Sequence, residues 1–343
     1  MAVPFYVNAR ALGKSDSGIA RYTAEMIKQL GDDAQVLQPQ QPRNGIGGHI
    51  WEQVTLPQQL PKDAVLWSPA NTGPLRVANQ VLTLHDVSVL EHPEWFSPLF
   101  ATWYRFLLPR LVSHVRKIIT VSEFSKRRIA EILGVPAEKI VVIPNGVDHQ
   151  VFYPRKHSEI DLAKAEYGLG GDYVISVGSL QPRKNLDRLF EAWQQVAVKF
   201  PSIELVVVGV EDQVFCNRGF KELPSNVRFL ANVPDADLAA LYSGARVCIQ
   251  PSLYEGFNLP VLEAIACGAP VLAAKTTATP EMIGDAGISF DPLSAKEIGE
   301  ALQTLLSQRE LAKGLSIKGL EQAKNYSWEK ATEATLEILK ASR

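Results

Sequence analysis

Short β-branched runs alternate with longer amphipathic stretches along most of this chain, and that alternation restricts the fold more than any other feature. A strand, a helix and a second strand in succession pack as a βαβ unit, so parallel sheets with helices on both faces are expected. The first set of runs is PFYVN (4–8), VLWS (65–68), VLTL (81–84), IITV (118–121) and IVVI (140–143), with helical apolar spacing at 19–30 and 98–116. PNGVDHQVFYPRKH, around 144–157, combines Pro, Asn-Gly and mixed polarity and reads as a linker. A second set follows: YVISV (173–177), IELVVV (203–208), VRFL (227–230), RVCIQ (246–250) and PVLAA (270–274), with helices at 186–199, 236–243, 259–267 and 295–306. The 343 residues therefore divide into two doubly wound α/β domains, 1–150 and 151–327. Such a pair is expected to bind its ligand in a cleft between the domains.

Charge excludes one class of partner. A formal net charge of −2 gives no field that would gather nucleic acid. The three cysteines, Cys216, Cys248 and Cys267, form no C-x-x-C pair and point to a reducing compartment without structural zinc. The opening MAVPFYVNAR lacks the pattern of a secretory leader, and no stretch approaches the ~18 apolar residues of a membrane span. A cytoplasmic protein is expected, with contact at the inner face of the membrane left open.

The strongest chemical signal is PSLYEGFNLPVLEAIACGAPVLA, residues 251–273. A strand ends at Gln250, a loop follows, and a helix begins with Asn258 as its expected cap and Pro260 in the first turn. The uncapped amides and the dipole of that helix favour a phosphate. Glu255 and Glu263, eight positions apart, would repel a phosphate unless they bind something else. Vicinal hydroxyls suit them, since each carboxylate accepts two hydrogen bonds. A ribose and a hexose flanking a diphosphate fit that description, against the simpler reading of a helix start with two solvated glutamates.

SVGSLQPRKNLDRLFEAW, residues 176–193, is the second signal. A strand runs into Gly178, a turn carries Arg183 and Lys184, and Asn185 is placed to cap the next helix. Adjacent cations at the carboxyl end of a parallel strand can clamp a diphosphate, Arg as a planar fork and Lys as a point charge. A solvent-exposed Arg-Lys pair is the plain alternative.

Together these residues resemble the retaining nucleotide-sugar glycosyltransferases of family 4, which have the GT-B fold. The E-x7-E segment EGFNLPVLE, the following ACGAPVLA, the GSLQPRKN loop, TVSEFSK (120–126) and IPNGVD (143–148) carry the resemblance over nearly the whole chain. The resemblance implies that Glu255 contacts donor-sugar hydroxyls and Glu263 the ribose. It places Arg183 and Lys184 on the diphosphate, with Gly178 and backbone amides near Phe257, Asn258 and Leu259 in the donor pocket. Family members usually have Gly where this chain has Asn258. In SDSGIARYTAEMIKQL, Gly18 resembles the family's first glycine-rich loop, whose backbone approaches the donor phosphates. In LTLHD, His85 is placed near the donor sugar by resemblance to members with the same HD step, frequently mannosyltransferases; a structural histidine is the alternative.

The resemblance also implies retention of configuration, a front-face reaction in which the departing β-phosphate oxygen takes the acceptor proton, and no cofactor. Charge neutralisation by Arg183 and Lys184 needs no metal ion. Asp235-Ala236-Asp237 resembles a metal-binding D-x-D but reads as a helix cap. Asp86 as general base or nucleophile is a lesser alternative. Mannose from a GDP donor is favoured, ahead of glucose or rhamnose from UDP or dTDP donors, with a glycan or lipid-linked sugar as acceptor in polysaccharide biosynthesis. Two rivals of other classes are weaker. An NAD-dependent oxidoreductase needs G-x-G-x-x-G after a strand, whereas GLGG (168–171) precedes one. An inactive sugar-binding protein would lack the paired acids and cations, which are all present.

Two further expectations concern surfaces. Region 98–128 has Arg105, Arg110, Arg116, Lys117, Lys126, Arg127 and Arg128 near Trp103, Tyr104 and Phe106. It reads either as a face for an anionic leaflet or as a packed helix whose cations snorkel to solvent. The last helix, 328–343, has an apolar face formed by Trp328, Ala331, Thr335, Leu336 and Leu339, with Ser327 as its cap. By pattern and by resemblance it is expected to cross back to the first domain.

Overall fold

A computed structural model describes residues 5–13, 18–41, 45–209 and 226–343. Cys216 lies outside the described residues. The chain forms two compact units, Met1–Gly146 with Ser327–Arg343, and Val147–Tyr326.

Each unit is built on a six-stranded sheet whose neighbours all run parallel. In the first the spatial order is β2-β1-β3-β4-β5-β6, with β1 Phe5–Asn8, β2 Ala34–Leu37, β3 Leu66–Ser68, β4 Gln80–Thr83, β5 Lys117–Thr120 and β6 Ile140–Val142. In the second it is β12-β11-β10-β7-β8-β9, with β7 Tyr173–Val177, β8 Glu204–Val208, β9 Val227–Leu230, β10 Val247–Gln250, β11 Val271–Ala274 and β12 Gly287–Phe290. The central strands are buried on both faces, which is why their sequences are mostly apolar and rich in valine and isoleucine. In the second unit the helices Leu186–Lys199 and Ala295–Ser307 cover one face, packing Leu189, Trp193 and Val196 with Ile298 and Leu302 over Val174, Leu205 and Ile249.

The doubly wound architecture expected from the sequence is present in both units, and so is the returning C-terminal helix. That helix, Trp328–Ala341, begins at Ser327, whose Oγ accepts the Lys330 N–H at 3.3 Å. Trp328 meets the Tyr22 ring edge-on at 5.9 Å, and the Thr332 hydroxyl reaches Met26 Sδ at 3.4 Å. Gly146 explains part of the IPNGVD motif. A Cβ there would lie 2.1 Å from the Trp328 backbone nitrogen, so only glycine lets the returning chain pass.

Some elements differ from the sequence reading. Strands β2 and β12 were not foreseen, because Ala34–Leu37 and Gly287–Phe290 are partly exposed edge strands of mixed polarity. The region read as linker, around 144–157, lies between β6 and a helix that starts at His157.

Candidate active site

The order of the second sheet makes a crevice. From β7 the chain winds through β8 to β9 on one side, then crosses over to β10 on the other, so the winding reverses between β7 and β10. At such a reversal the loops leaving the carboxyl ends of the two strands diverge and leave room for a ligand. The loops here are the two singled out in the sequence, Gly178–Asn185 after β7 and Pro251–Asn258 after β10.

Those loops are joined by an ion triad. The Lys184 ammonium donates to Glu255 Oε1 at 2.6 Å, and the Arg183 Nη1 donates to Glu255 Oε2 at 2.9 Å and to the Tyr254 carbonyl at 3.1 Å. Lys184 and Glu255 are both buried. Burial alone would raise the Glu255 pKa, but Lys184 and Arg183 outweigh it and hold the carboxyl at about 2. For Lys184 burial dominates and pulls the ammonium below its ordinary value, with Glu255 opposing. Gly178 makes the close packing of Lys184 feasible, because a Cβ there would lie 3.2 Å from the lysine Cδ and Cε.

The backbone that presents Glu255 is pinned from three sides. Its N–H donates to Thr277 Oγ1 at 3.0 Å, the Leu253 N–H donates to the Arg183 carbonyl at 2.7 Å, and Gln250 Nε2 donates to the Val177 carbonyl at 2.7 Å. Thr277, like Asn185 and Asn258, has a left-handed backbone. Thr277 was not singled out in the sequence, since a threonine after a strand carries no local signal of this role.

Two expected caps do other work. Asn258 stands at the N-terminus of the helix Leu259–Ala266, but its side chain makes no cap and donates instead to Thr279 Oγ1 at 3.1 Å. Its φ of 83° orients the backbone as a glycine would, the residue that the family resemblance leads one to expect at this place. Asn185 precedes the helix Leu186–Lys199 in the same conformation, and its Nδ2 ties the Pro251 and Pro292 carbonyls at 3.0 and 2.7 Å. Neither side chain covers its helix amides. Asp235 and Asp237 also do not cap: Pro234 holds the cap position, both acids lie in the first turn, and Asp237 accepts the Tyr167 hydroxyl at 2.8 Å.

Glu263 is buried on the helix behind this loop. Burial first and its charge second raise the Cys248 and Cys267 thiols, which leaves both unreactive. Phe257 is buried against Tyr326 at 5.7 Å, and Leu259 opens the helix.

The remaining expected residues belong to the first unit. Gly18 is the first residue of the helix Gly18–Leu30. His85 follows β4 and is buried, its Nε2 2.9 Å from the Pro69 carbonyl and its ring edge-on to Tyr22 at 4.7 Å. A carbonyl only accepts, so Nε2 carries the proton and Nδ1 is the acceptor. Burial lowers the His85 pKa and keeps the ring neutral at pH 7, with Pro69 and Asp86 opposing. Asp86 Oδ1 accepts from the Ser88 N–H and hydroxyl at 2.9 and 2.6 Å, which holds it to a structural turn.

Comparison with known proteins supplies the family and the fold. The family Glycosyl transferases group 1 matches residues 159–322, and Glycosyltransferase Family 4 matches 63–151. The chain is 35% identical over 290 residues to O-antigen chain mannosyltransferase B of Escherichia coli, covering 81% of this chain and 74% of that protein. It is 30% identical over 292 residues to the MMP alpha-(1->4)-mannosyltransferase of Mycolicibacterium hassiacum, covering 78% and 67%. Among solved structures, Anabaena HepE in complex with UDP and glucose superposes with a TM-score of 0.78 over 98% of each chain, at 20% identity.

Proposed function

The chain belongs to the glycosyltransferases of family 4, and from that premise we propose that it moves mannose from GDP-mannose to a glycan or lipid-linked sugar, with retention of configuration. The observation that carries this reading is the buried Glu255 held by Lys184 and Arg183 at the winding reversal of the second sheet. Two cations beside a carboxylate suit a diphosphate joined to a sugar. The diphosphate takes the cations, and Glu255, released from them, accepts hydrogen bonds from sugar hydroxyls. Glu263 serves the ribose, and the amides of Phe257, Asn258 and Leu259 complete the donor site with Gly178. In the first unit, Gly18 serves the donor phosphates and the His85 Nδ1 a sugar hydroxyl.

Transfer needs the negative charge that grows on the leaving diphosphate to be stabilised as the sugar bond breaks. Lys184 and Arg183 supply that stabilisation in a dry setting, so the reaction proceeds without a metal ion. The leaving β-phosphate oxygen takes the acceptor proton, which fits an Asp86 already engaged with Ser88. Mannose is favoured because both relatives described above are mannosyltransferases.

The enzyme works on the cytoplasmic face of a membrane in this reading. Among the described residues no helix is long and apolar enough to cross one. The helix Pro98–His114 exposes Leu99 and Phe106 beside Arg105 and Arg110, and the segment packed on it through His49 and Trp103 exposes Ile46, Ile50 and Val54. That mixture suits an anionic leaflet. Arg128 contributes little, being paired with Glu91 and Glu131.

A thermal-shift panel of GDP, UDP, dTDP and ADP tests the donor. A ligand at a hundred times its Kd stabilises by about 2.7 kcal/mol. GDP is expected to stand out; selective stabilisation by UDP or dTDP replaces mannose with glucose or rhamnose.

A further inference from the structure

We propose that Asn71 is a positioning residue: its side-chain carbonyl takes the place of a strand carbonyl and so fixes where His85 presents its ring. This rests on the reading of His85 as a contact of the donor sugar, and adds the residue through which the fold controls that contact. β3 and β4 pair in register from Leu66 with Gln80 to Ser68 with Leu82. Continued in that register, Ala70 would stand opposite Leu84. In a parallel pair such a residue gives its N–H to the residue before its partner and its carbonyl to the residue after it.

Asn71 makes those two bonds instead of Ala70. Its N–H donates to the Thr83 carbonyl at 3.0 Å, and its Oδ1 accepts the His85 N–H at 2.7 Å. The loop after β3 therefore carries an extra residue against β4, an irregularity of the kind that re-aims side chains next to active sites. Asn71 has φ 62°, a left-handed backbone that turns the chain out of the strand direction and leaves the side-chain amide to meet His85. The same loop takes the ring, whose Nε2 lies 2.9 Å from the Pro69 carbonyl. His85 is thus held at its main chain and at its imidazole by residues two positions apart.

The loop is anchored in turn. Thr72 Oγ1 accepts from Arg10 Nη2 at 2.7 Å and donates to Glu52 Oε1 at 2.9 Å. At Gly73 a Cβ would lie 2.3 Å from Gln80 Oε1, so a side chain there would push the loop off β4. The residue type at 71 follows from two demands. Glycine would adopt the backbone but offer no acceptor. Aspartate would meet both demands, but its charge would favour the protonated ring, in which both nitrogens donate. Asparagine keeps the anchor and leaves His85 neutral, with Nδ1 as the acceptor.

NMR of the imidazole N–H protons, together with calorimetry using GDP and GDP-mannose, tests this on the full chain. Wild type should show a slowly exchanging His85 Nε2–H signal, assigned by its absence from His85→Ala. Asn71→Gly allows the same backbone and removes the acceptor; it should lose that signal and bind GDP-mannose about threefold more weakly, with GDP unchanged. His85→Ala should bind GDP-mannose about fivefold more weakly, and adding Asn71→Gly to it should cost nothing more, because Asn71 acts through the ring. A retained signal in Asn71→Gly overturns the proposal. So does an additive loss in the double variant, or wild-type GDP-mannose affinity in Asn71→Gly beside a weakened His85→Ala. If Asn71→Gly does not fold, Asn71→Asp decides: it keeps the acceptor and the backbone, so it should keep the Nε2–H signal, and loss of the signal overturns the proposal. His85→Ala binding GDP-mannose as wild type does would instead defeat the donor-sugar reading, and the signal in Asn71→Gly then judges the anchor by itself.

Discussion

Replacing Glu255 by glutamine keeps the shape of the side chain and removes its charge, leaving Lys184 buried without a counter-ion. The size of the effect follows from the depressed carboxyl. A fall from the ordinary 4.5 to about 2 corresponds to about 3 kcal/mol net, the pull of the two cations less the cost of burial. That agrees with the roughly 3 to 5 kcal/mol lost when one partner of a buried ion pair is deleted. For a unit of this size, each kcal/mol moves Tm by about 2–4 °C, so the variant should melt about 6–12 °C lower at pH 7. Two companion measurements separate electrostatics from general damage. Lys184 is held below its ordinary pKa by burial and loses its remaining support in the variant. A lysine depressed in the folded state stabilises as pH rises toward its unfolded value, so the deficit should shrink between neutral pH and about pH 10. GDP should also stabilise the variant more than wild type, because its phosphates replace the missing charge without displacing Glu255. Differential scanning calorimetry at pH 7 and 9, with and without GDP, reads all three. A drop of less than about 1 kcal/mol, or equal stabilisation of both proteins by GDP, would refute the reasoning.

Wild type should lose the Glu255 contribution as pH falls from 4.5 to about 2, since a carboxyl depressed in the folded state stabilises only above its unfolded pKa; an acid titration of Tm lacking that fall in wild type would contradict it. Glu263→Ala should weaken GDP by about 1.5 to 3 kcal/mol in calorimetry, the worth of a charge-assisted hydrogen bond. Activity should survive EDTA; complete loss restored by magnesium would transfer the diphosphate role from Lys184 and Arg183 to a metal. Gly146→Ala places a Cβ 2.1 Å from the Trp328 backbone, so it should lower the Tm of the first unit sharply, as read by Trp328 fluorescence.

The sequence was most legible where side-chain pattern and strand position say the same thing. Largely buried strands such as Tyr173–Val177 are mostly apolar runs, and the helix Leu186–Lys199 has both periodicity and flanking turn residues, so each was read to the residue. Glu255, Arg183 and Lys184 were legible as a set because charges at the carboxyl ends of parallel strands have few structural uses. Their direct pairing was not, because an ion pair between residues 71 and 72 positions apart depends on which strands the fold makes neighbours.

Asparagine misled the local reading in an instructive way. A helix cap requires the side chain to turn back toward the first amides from an extended backbone. Asn185 and Asn258 instead have φ of 56° and 83°, a conformation that aims the side chain elsewhere. Each then ties together loops that leave different strands: Asn185 reaches the carbonyls of Pro251 and Pro292, and Asn258 reaches Thr279. Thr277, with φ 55°, is the costlier case, since a β-branched residue is rarely left-handed, and strain of this kind amounts to about 1–3 kcal/mol. Its hydroxyl accepts the Glu255 N–H, so the strained position fixes the carboxylate that the two cations grip. Left-handed residues thus flank the ion triad, Thr277 fixing the Glu255 backbone through its hydroxyl and Asn185 tying the loop after β10 through its side chain. On the proposed function, a frame of that kind would let Lys184 and Arg183 exchange a carboxylate for a diphosphate with little rearrangement of the backbone that carries them.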